Sequence, residues 1–114
     1  MPAPTPRMAL YRQWLQREQG LQFADYEALW RWSSSELRAF WRSIWQYFDI
    51  QSPTAYDTEL VDAAMPGARW FPGAQLNFAQ QVFRHADAAH AAGHPAIVFQ
   101  SERLPAPVAM AWPE

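Results

Sequence analysis

Apolar side chains recur at helical spacing along the first three quarters of the chain and form short continuous runs near its end. The helical spacing predicts about four helices, over approximately 7–19, 25–32, 35–48 and 77–91. The runs near the end predict a β-hairpin with strands over approximately 96–101 and 108–112. We therefore predict a mostly α fold that ends in a hairpin.

Residues with helix-capping chemistry stand at the ends of these patterns. Gly20 is placed to end the first helix, and Asp25 to cap the second. Ser33 and Glu36 have the spacing of a capping box for the third helix, and Asn77 is placed to cap the fourth. Residues 58–64 are expected to add one further helical turn.

The third helix has the most complete apolar face, with Leu37, Phe40, Trp41, Ile44, Trp45 and Phe48 at helical spacing. We expect this face to lie in the core, and Arg42 to lie on the opposite, polar side. The carboxylates Asp57, Glu59 and Asp62 are expected to form a solvated face or to cap a turn.

Two Pro-Gly pairs enclose an arginine and two aromatic residues in the segment after residue 64. Proline fixes φ near −65° and glycine accepts positive φ, so Pro66-Gly67 and Pro72-Gly73 predict two tight turns. Such turns would hold Trp70 and Phe71 in one defined position. We call residues 65–79, which read MPGARWFPGAQLNFA, the signature segment.

The signature segment resembles the N-terminal signature of the acetoacetyl-CoA synthetase family and, more loosely, that of the wider acetyl-CoA synthetase group. Phe78 replaces the usual tyrosine, and Gln80-Gln81 replace Glu-Asn. Further matching stretches occur in the same order along the chain: FADYEAL at 23–29, Trp32-Ser33, FWRSIWQYF at 40–48 and PAIVFQSE at 95–102. The resemblance thus covers nearly the whole chain.

The resemblance implies an adenylate-forming ligase that activates acetoacetate with ATP and Mg²⁺ and then transfers the acyl group to CoA. It implies a helical N-terminal domain at 7–94 after a disordered Pro-rich tail at 1–6. Residues 95–114 would be the truncated start of the adenylate-forming domain, and the hairpin would begin its sheet. The expected partner is the remainder of that domain.

Adenylate-forming ligases, as the resemblance implies, need a Gly-rich phosphate-binding loop and a mobile lysine, and this chain has neither. All nine cationic residues are arginine, so lysine is absent, and cysteine is absent as well. The four glycines are scattered and form no phosphate-binding loop. We therefore predict no catalytic residue here, and no ATP, Mg²⁺ or CoA bound by this chain by itself.

Charge and hydropathy exclude two classes of partner. The net charge of −2 offers no basic surface for nucleic acid. No apolar run reaches the roughly 18 residues needed to span a membrane. The first residues lack the apolar centre of a secretory signal, so the cytoplasm is the expected location.

The candidate functional residues are those of the signature segment: Arg69, Trp70, Phe71, Gly73 and Asn77. Two roles stay open for them. They could form an interdomain latch, in which the aromatics contact the adenylate-forming domain and Arg69 pairs with a carboxylate. They could instead border the CoA or nucleotide region, where arginine suits a phosphate and an aromatic ring suits adenine.

The three histidines do not predict a metal site. His90 and His94 have the spacing of two ligands on one helix face, but Gly93 and Pro95 flank His94 and disfavour a helix there. His85 lies off that face. Metal binding is therefore not expected.

A second functional class stays open on composition alone. The chain holds seven Trp and seven Phe, more than a core of this size easily covers. An exposed aromatic patch would suit a free-standing helical protein–protein interaction module. The resemblance favours the ligase module over this alternative.

Overall fold

The computed structural model describes residues 4–113 and confirms the mostly α fold with a C-terminal hairpin. The described elements are, in order, α1 Arg7–Gln19, α2 Tyr26–Ser35, α3 Leu37–Tyr47, α4 Phe78–Phe83, α5 Ala86–Ala91, β1 Ile97–Phe99 and β2 Val108–Met110. Among the described residues, no helix is long and apolar enough to cross a membrane.

The chain divides into two compact units, unit 1 at Met1–Gln75 and unit 2 at Leu76–Glu114. The boundary between the two units thus falls after Gln75. The domain boundary between residues 94 and 95 stays a prediction. Of the predicted tail, residues 1–3 lie outside the described residues, and residues 4–6 are exposed and precede α1 without regular structure.

The predicted signals at the ends of α1 and α2 are confirmed. Gly20 adopts φ 65°, and its N–H bonds back to the carbonyl of Leu15. A left-handed residue of this kind is most easily supplied by glycine. The carboxylate of Asp25 accepts a hydrogen bond from the N–H of Ala28 at 2.8 Å and so caps α2.

The predicted capping box at the start of α3 is wrong, because the serines serve the preceding helix. The hydroxyls of Ser33 and Ser34 donate to the carbonyl of Trp30 at 2.8 and 3.0 Å. Both hydroxyls thus bond to the backbone of α2, which extends to Ser35. Glu36 precedes α3 without a side-chain capping bond.

The core of unit 1 is formed by Tyr11, Leu15 and Leu29, with aromatic and aliphatic side chains of α1, α2 and α3 packed around them. Ser43 is buried beside Tyr11, with 2.6 Å between the two hydroxyl oxygens. The hydroxyl of Ser43 donates to the carbonyl of Phe40, so the Tyr11 hydroxyl is the donor of the pair. Burial raises the pKa of Tyr11.

The apolar face of α3 packs in two directions, which confirms its predicted core role in part, since Trp41 stays exposed. Phe40 and Ile44 pack against the α1–α2 core. Trp41 and Trp45 contact the rings of Trp70 and Phe71 in the signature segment. Phe48, at the end of the face, is exposed. The helix therefore joins the core to the signature segment.

The predicted fourth helix consists of two short helices, α4 and α5, with a break at Arg84 and His85. Asn77 caps α4 as predicted, because its side-chain oxygen accepts from the N–H of Gln80 at 3.2 Å. At the break the His85 N–H bonds to the carbonyl of Val82, three residues back instead of four. Neither helix contains a buried residue, and short helices with little buried surface have little to keep them continuous.

The hairpin is confirmed, with strands shorter than predicted. β1 and β2 pair antiparallel, with Ile97 opposite Met110, Val98 opposite Ala109 and Phe99 opposite Val108. Among the described residues the sheet has only these two strands. Each strand therefore has one paired edge and one open edge.

Candidate functional site

The first part of the signature segment pairs with the residues that precede it. Three backbone hydrogen bonds join the two stretches: Asp57 N–H to Pro72 O at 2.8 Å, Phe71 N–H to Glu59 O at 2.9 Å, and Val61 N–H to Arg69 O at 3.1 Å. Leu60 and Trp70 form an isolated antiparallel bridge. The helical turn expected at 58–64 is therefore wrong, because none of these residues is helical and the backbone of Glu59 and Val61 bonds to the signature segment instead.

The second Pro-Gly pair forms the tight turn that was predicted. The N–H of Ala74 bonds to the carbonyl of Phe71 at 3.2 Å across Pro72 and Gly73. Gly73 adopts φ 89°, and a Cβ there would lie 3.1 Å from Asp57 Oδ2 and 3.2 Å from the Ala55 carbonyl oxygen. Both its conformation and its surroundings therefore require glycine.

The ring of Phe71 is held inside unit 1. Its centroid lies 4.8 Å from that of Trp45 and 5.1 Å from that of Tyr56. Its backbone adopts φ 46°, which is unusual for a bulky residue. The hydrogen bond to Glu59 and the contacts with the two rings hold it there. Phe71 thus anchors the loop and leaves little surface for another partner.

Trp70 lies beside Phe71 in the chain but contacts a different ring. It packs edge-to-face on Trp41 at 5.6 Å between centroids. Trp70 stays 41% exposed and Trp41 39% exposed. The two tryptophans therefore form a half-exposed aromatic pair on α3 and the signature segment.

An ion pair between Arg42 and Glu59 attaches this loop to α3. Arg42 Nε lies 2.5 Å from Glu59 Oε1, and Glu59 is only 6% exposed. The Arg42 hydrogen bond holds the pKa of Glu59 below its usual value, and the same bond raises the pKa of Arg42. The expectation that Glu59 belongs to a solvated face is wrong, because Glu59 is buried, whereas Arg42 is exposed as predicted for the polar side of α3.

Arg69 is exposed like Arg42 but, unlike Arg42, is not paired with a carboxylate among the described residues. Its side chain is exposed and makes no hydrogen bond or ion pair with any described residue. Its backbone carbonyl, in contrast, is bound by Val61. Arg69 is therefore a free cation on an anchored backbone, next to the half-exposed Trp70.

The predicted site residues are divided between the two units. Arg69, Trp70, Phe71 and Gly73 lie together in unit 1, whereas Asn77 belongs to unit 2 and caps α4. Sequence reasoning missed Trp41, Arg42 and Glu59 as supporting residues. Glu59 is separated from Arg42 by 17 positions, so no local pattern marks the pair.

The histidines lie at ends and breaks of α5. His85 precedes α5, His90 lies in its last turn, and His94 follows it. Within residues 4–113, no three histidine, cysteine, aspartate or glutamate side chains are grouped so that they could hold a metal ion.

Comparison with known proteins places these features in a family. Residues 26–82, which are 57 of the 114 residues, match the family described as "Acetyl-coenzyme A synthetase N-terminus". The match includes α2, α3, the Arg42–Glu59 pair and the whole signature segment.

Individual relatives carry acyl-CoA synthetase names. Acetoacetyl-coenzyme A synthetase of Rhizobium meliloti is 40% identical over 78 residues, which are 68% of this chain and 12% of that protein. Malonamoyl-CoA synthetase of Penicillium aethiopicum is 37% identical over 79 residues, 67% of this chain and 11% of that protein. The chain thus spans about an eighth of the length of these relatives.

A solved structure extends the similarity to the fold. Acetoacetyl-CoA synthetase from Streptomyces lividans superposes with a TM-score of 0.75 at 35% identity, over 94% of this chain and 16% of that one. The chain therefore belongs to the acetyl-coenzyme A synthetase N-terminus family and is homologous to the N-terminal part of acetoacetyl-CoA synthetases.

Proposed function

We propose that this chain is the non-catalytic N-terminal module of an ATP-dependent acetoacetate–CoA ligase, which makes acetoacetyl-CoA through an acyl-adenylate. The observation that carries the proposal is the superposition of nearly the whole chain on a small part of an acetoacetyl-CoA synthetase. ATP, Mg²⁺ and CoA would bind to the rest of the enzyme, since this chain has neither a lysine nor a phosphate-binding loop. The cytoplasm, where ATP and CoA are available, is part of the proposal.

Acetoacetate is the proposed substrate because the bacterial relative and the solved structure both carry that name. The malonamoyl-CoA synthetase shares the same N-terminal region at similar identity. A module common to enzymes with different acyl groups supports a role in packing, not in selection of the acyl group.

Arg69 and Trp70 are proposed to form the interdomain latch, the contact between this module and the adenylate-forming domain. Arginine and tryptophan are enriched among residues that dominate interface energies. Phe71 and Gly73 fix the backbone that presents them, and Asn77 starts the helix that follows. The comparisons do not support a free-standing interaction module.

The role of Arg69 is tested in an enzyme that carries this module. If Arg69 is part of the latch, Arg69→Ala lowers the melting temperature and leaves KM for CoA unchanged. A rise in KM for CoA at unchanged stability would assign Arg69 to the CoA region instead. Arg103, which is also exposed in unit 2, provides the control substitution Arg103→Ala.

The function is tested by exchange of the module. Residues 1–114 replace the aligned segment of the Rhizobium meliloti acetoacetyl-coenzyme A synthetase, and acetoacetyl-CoA formation is measured. We expect an active chimera, whereas the same enzyme with the segment deleted is inactive. A folded chimera without activity would contradict the proposal.

A further inference from the structure

A groove of about 230 Å³ lies between α1 and the loop that leads to α2. The residues that α1 contributes to its lining share one helix face, and the loop contributes two more: Ala9, Arg12, Gln13 and Gln16, then Gln22 and Phe23. We call these six residues the α1 groove. It lies wholly in unit 1 and outside residues 26–82, so neither the family match nor the signature segment gives it a role.

The charged group of the groove, the guanidinium of Arg12, is held in place. Its Nη2 donates to the backbone carbonyl of Phe23. The ring of Phe23 packs on Trp32 at 5.2 Å between centroids and borders the core of unit 1, so the carbonyl is fixed. A guanidinium carries several further N–H donors, and those of Arg12 have no acceptor within residues 4–113. Arg12 therefore presents free donors from a fixed position.

Neutral polar groups surround this cation. The side-chain amides of Gln13, Gln16 and Gln22 are exposed and make no hydrogen bond to any other residue that the structure describes. Each amide can donate through its NH₂ group and accept through its oxygen. Among the described residues that line the groove, none is an aspartate or a glutamate. The groove thus combines one positive charge with neutral donors and acceptors.

We propose that the α1 groove binds a small organic carboxylate, with the carboxylate on Arg12 and the other polar groups of the ligand on the glutamine amides. The planar fork of arginine matches a carboxylate in geometry. One cation balances the single charge of a carboxylate better than the roughly two charges of a phosphate monoester. The ligand is small, because the groove is below the range of about 300–1,000 Å³ that is typical for drug-sized molecules.

The test titrates lactate, which carries one carboxylate and one hydroxyl, into the isotope-labelled 114-residue chain at constant ionic strength. We expect saturable NMR shifts of the side-chain amides of Gln13, Gln16 and Gln22 and of the N–H of Phe23. Propane-1,2-diol has the same carbon skeleton without the carboxylate and should leave these signals in place. Equal shifts by both compounds, or none by lactate, would overturn the proposal.

Inorganic phosphate distinguishes a carboxylate site from a general anion site. We expect phosphate to bind more weakly than lactate, because the groove supplies a single cation. Tighter binding of phosphate than of lactate would overturn the assignment to a carboxylate.

Two variants connect the binding to the groove. Arg12→Gln removes the charge and is expected to weaken lactate binding about 10-fold or more, since hydrogen bonds between charged groups are the strong ones. Arg7→Gln is the matched control, because Arg7 is exposed on α1 outside the groove. Ala9→Leu fills the groove with a good helix former while it retains Arg12 and its bond to Phe23, and should also weaken binding.

The backbone signals of the core residues Leu15 and Leu29 report whether each variant is folded. Ala9→Leu keeps the test decisive if Arg12→Gln does not fold. Unchanged lactate affinity in folded Ala9→Leu would overturn the proposal. An equal loss of affinity in Arg7→Gln and Arg12→Gln would do so as well, since the charge of α1 as a whole would then attract the anion.

Discussion

At the scale of single residues, the buried carboxylate of Glu59 shows how side chains fix the signature segment. Its side chain pairs with Arg42 on α3, while its backbone carbonyl accepts the N–H of Phe71. One residue thus connects the helix to the loop through two different groups. Because Arg42 holds the pKa of Glu59 low, this connection depends on pH.

Glu59→Gln is predicted to reduce the stability of unit 1 in a pH-dependent way. A carboxyl whose pKa is lowered by folding adds stability above its unfolded pKa, about 4.3 for glutamate, and this stability is lost as pH falls through the folded pKa. The variant should therefore be less stable by about 1–3 kcal/mol at pH 7 and approach the parent in strong acid. Urea unfolding followed by tryptophan fluorescence measures the stability of variant and parent at each pH. Asp62→Asn, at an exposed carboxylate, is the control, and a pH-independent difference would contradict the prediction.

The neighbouring aromatics Phe71 and Trp70 should differ in their contributions. Phe71 lies between Trp45 and Tyr56, so Phe71→Ala is predicted to cost about 2–3 kcal/mol of unfolding free energy. Trp70 is 41% exposed, so Trp70→Ala should cost only about 1 kcal/mol in the isolated chain. The same urea titration measures both variants. A larger loss for Trp70 would place that ring in the core.

Local chemistry was readable from the sequence at this scale, and distant pairing was not. Asp25 and Asn77 were predicted as caps from their residue type and their place before a helical pattern, and each accepts a bond from an N–H three residues ahead. Ser33 was assigned to the wrong helix, since a serine between two helices can bond the end of one or the start of the next. Glu59 was missed because its partner is set by tertiary packing.

At the scale of elements, α3 packs against the signature segment and the strand-like residues that precede it. Trp41, Arg42 and Trp45 project from α3 to Trp70, Glu59 and Phe71 respectively. Apolar periodicity predicted the helix, and the Pro-Gly pair predicted the turn at Gly73. The extended pairing of 57–61 was not predicted, because it depends on backbone partners around residues 69–72.

Gly73→Ala tests the turn against a matched glycine. At Gly73, a Cβ meets the side chain of Asp57 and the backbone of Ala55, and φ is positive. At Gly67, φ is also positive at 111°, but a Cβ meets nothing within 4 Å. Gly73→Ala should therefore cost more than Gly67→Ala, by about 1 kcal/mol or more. It should also speed amide exchange at Asp57 and Phe71, and equal effects would contradict the contact argument.

At the scale of the whole chain, burial is distributed unevenly between the two units. Unit 1 contains the buried residues, whereas the described residues of unit 2 are all at least partly exposed. The sequence predicted the fold class and the hairpin, because both follow from periodicity. The break between α4 and α5 was not predictable, since apolar spacing does not report that neither helix buries a residue.

Hydrogen exchange of the isolated chain should reveal this distribution. Amides of α1 and α3 are predicted to be protected, because they close hydrogen bonds around the Tyr11–Leu15–Leu29 core. Amides of α4, α5, β1 and β2 should exchange close to the unprotected rate. Protection of β1 equal to that of α3 would contradict the division.

The most direct test of the central claim, that the chain supports chemistry located elsewhere, is acetoacetate-dependent ATP–pyrophosphate exchange. We predict no exchange by the 114-residue chain and exchange by the Rhizobium meliloti chimera that carries it. Exchange catalysed by the chain alone, or its absence from the folded chimera, would contradict the account.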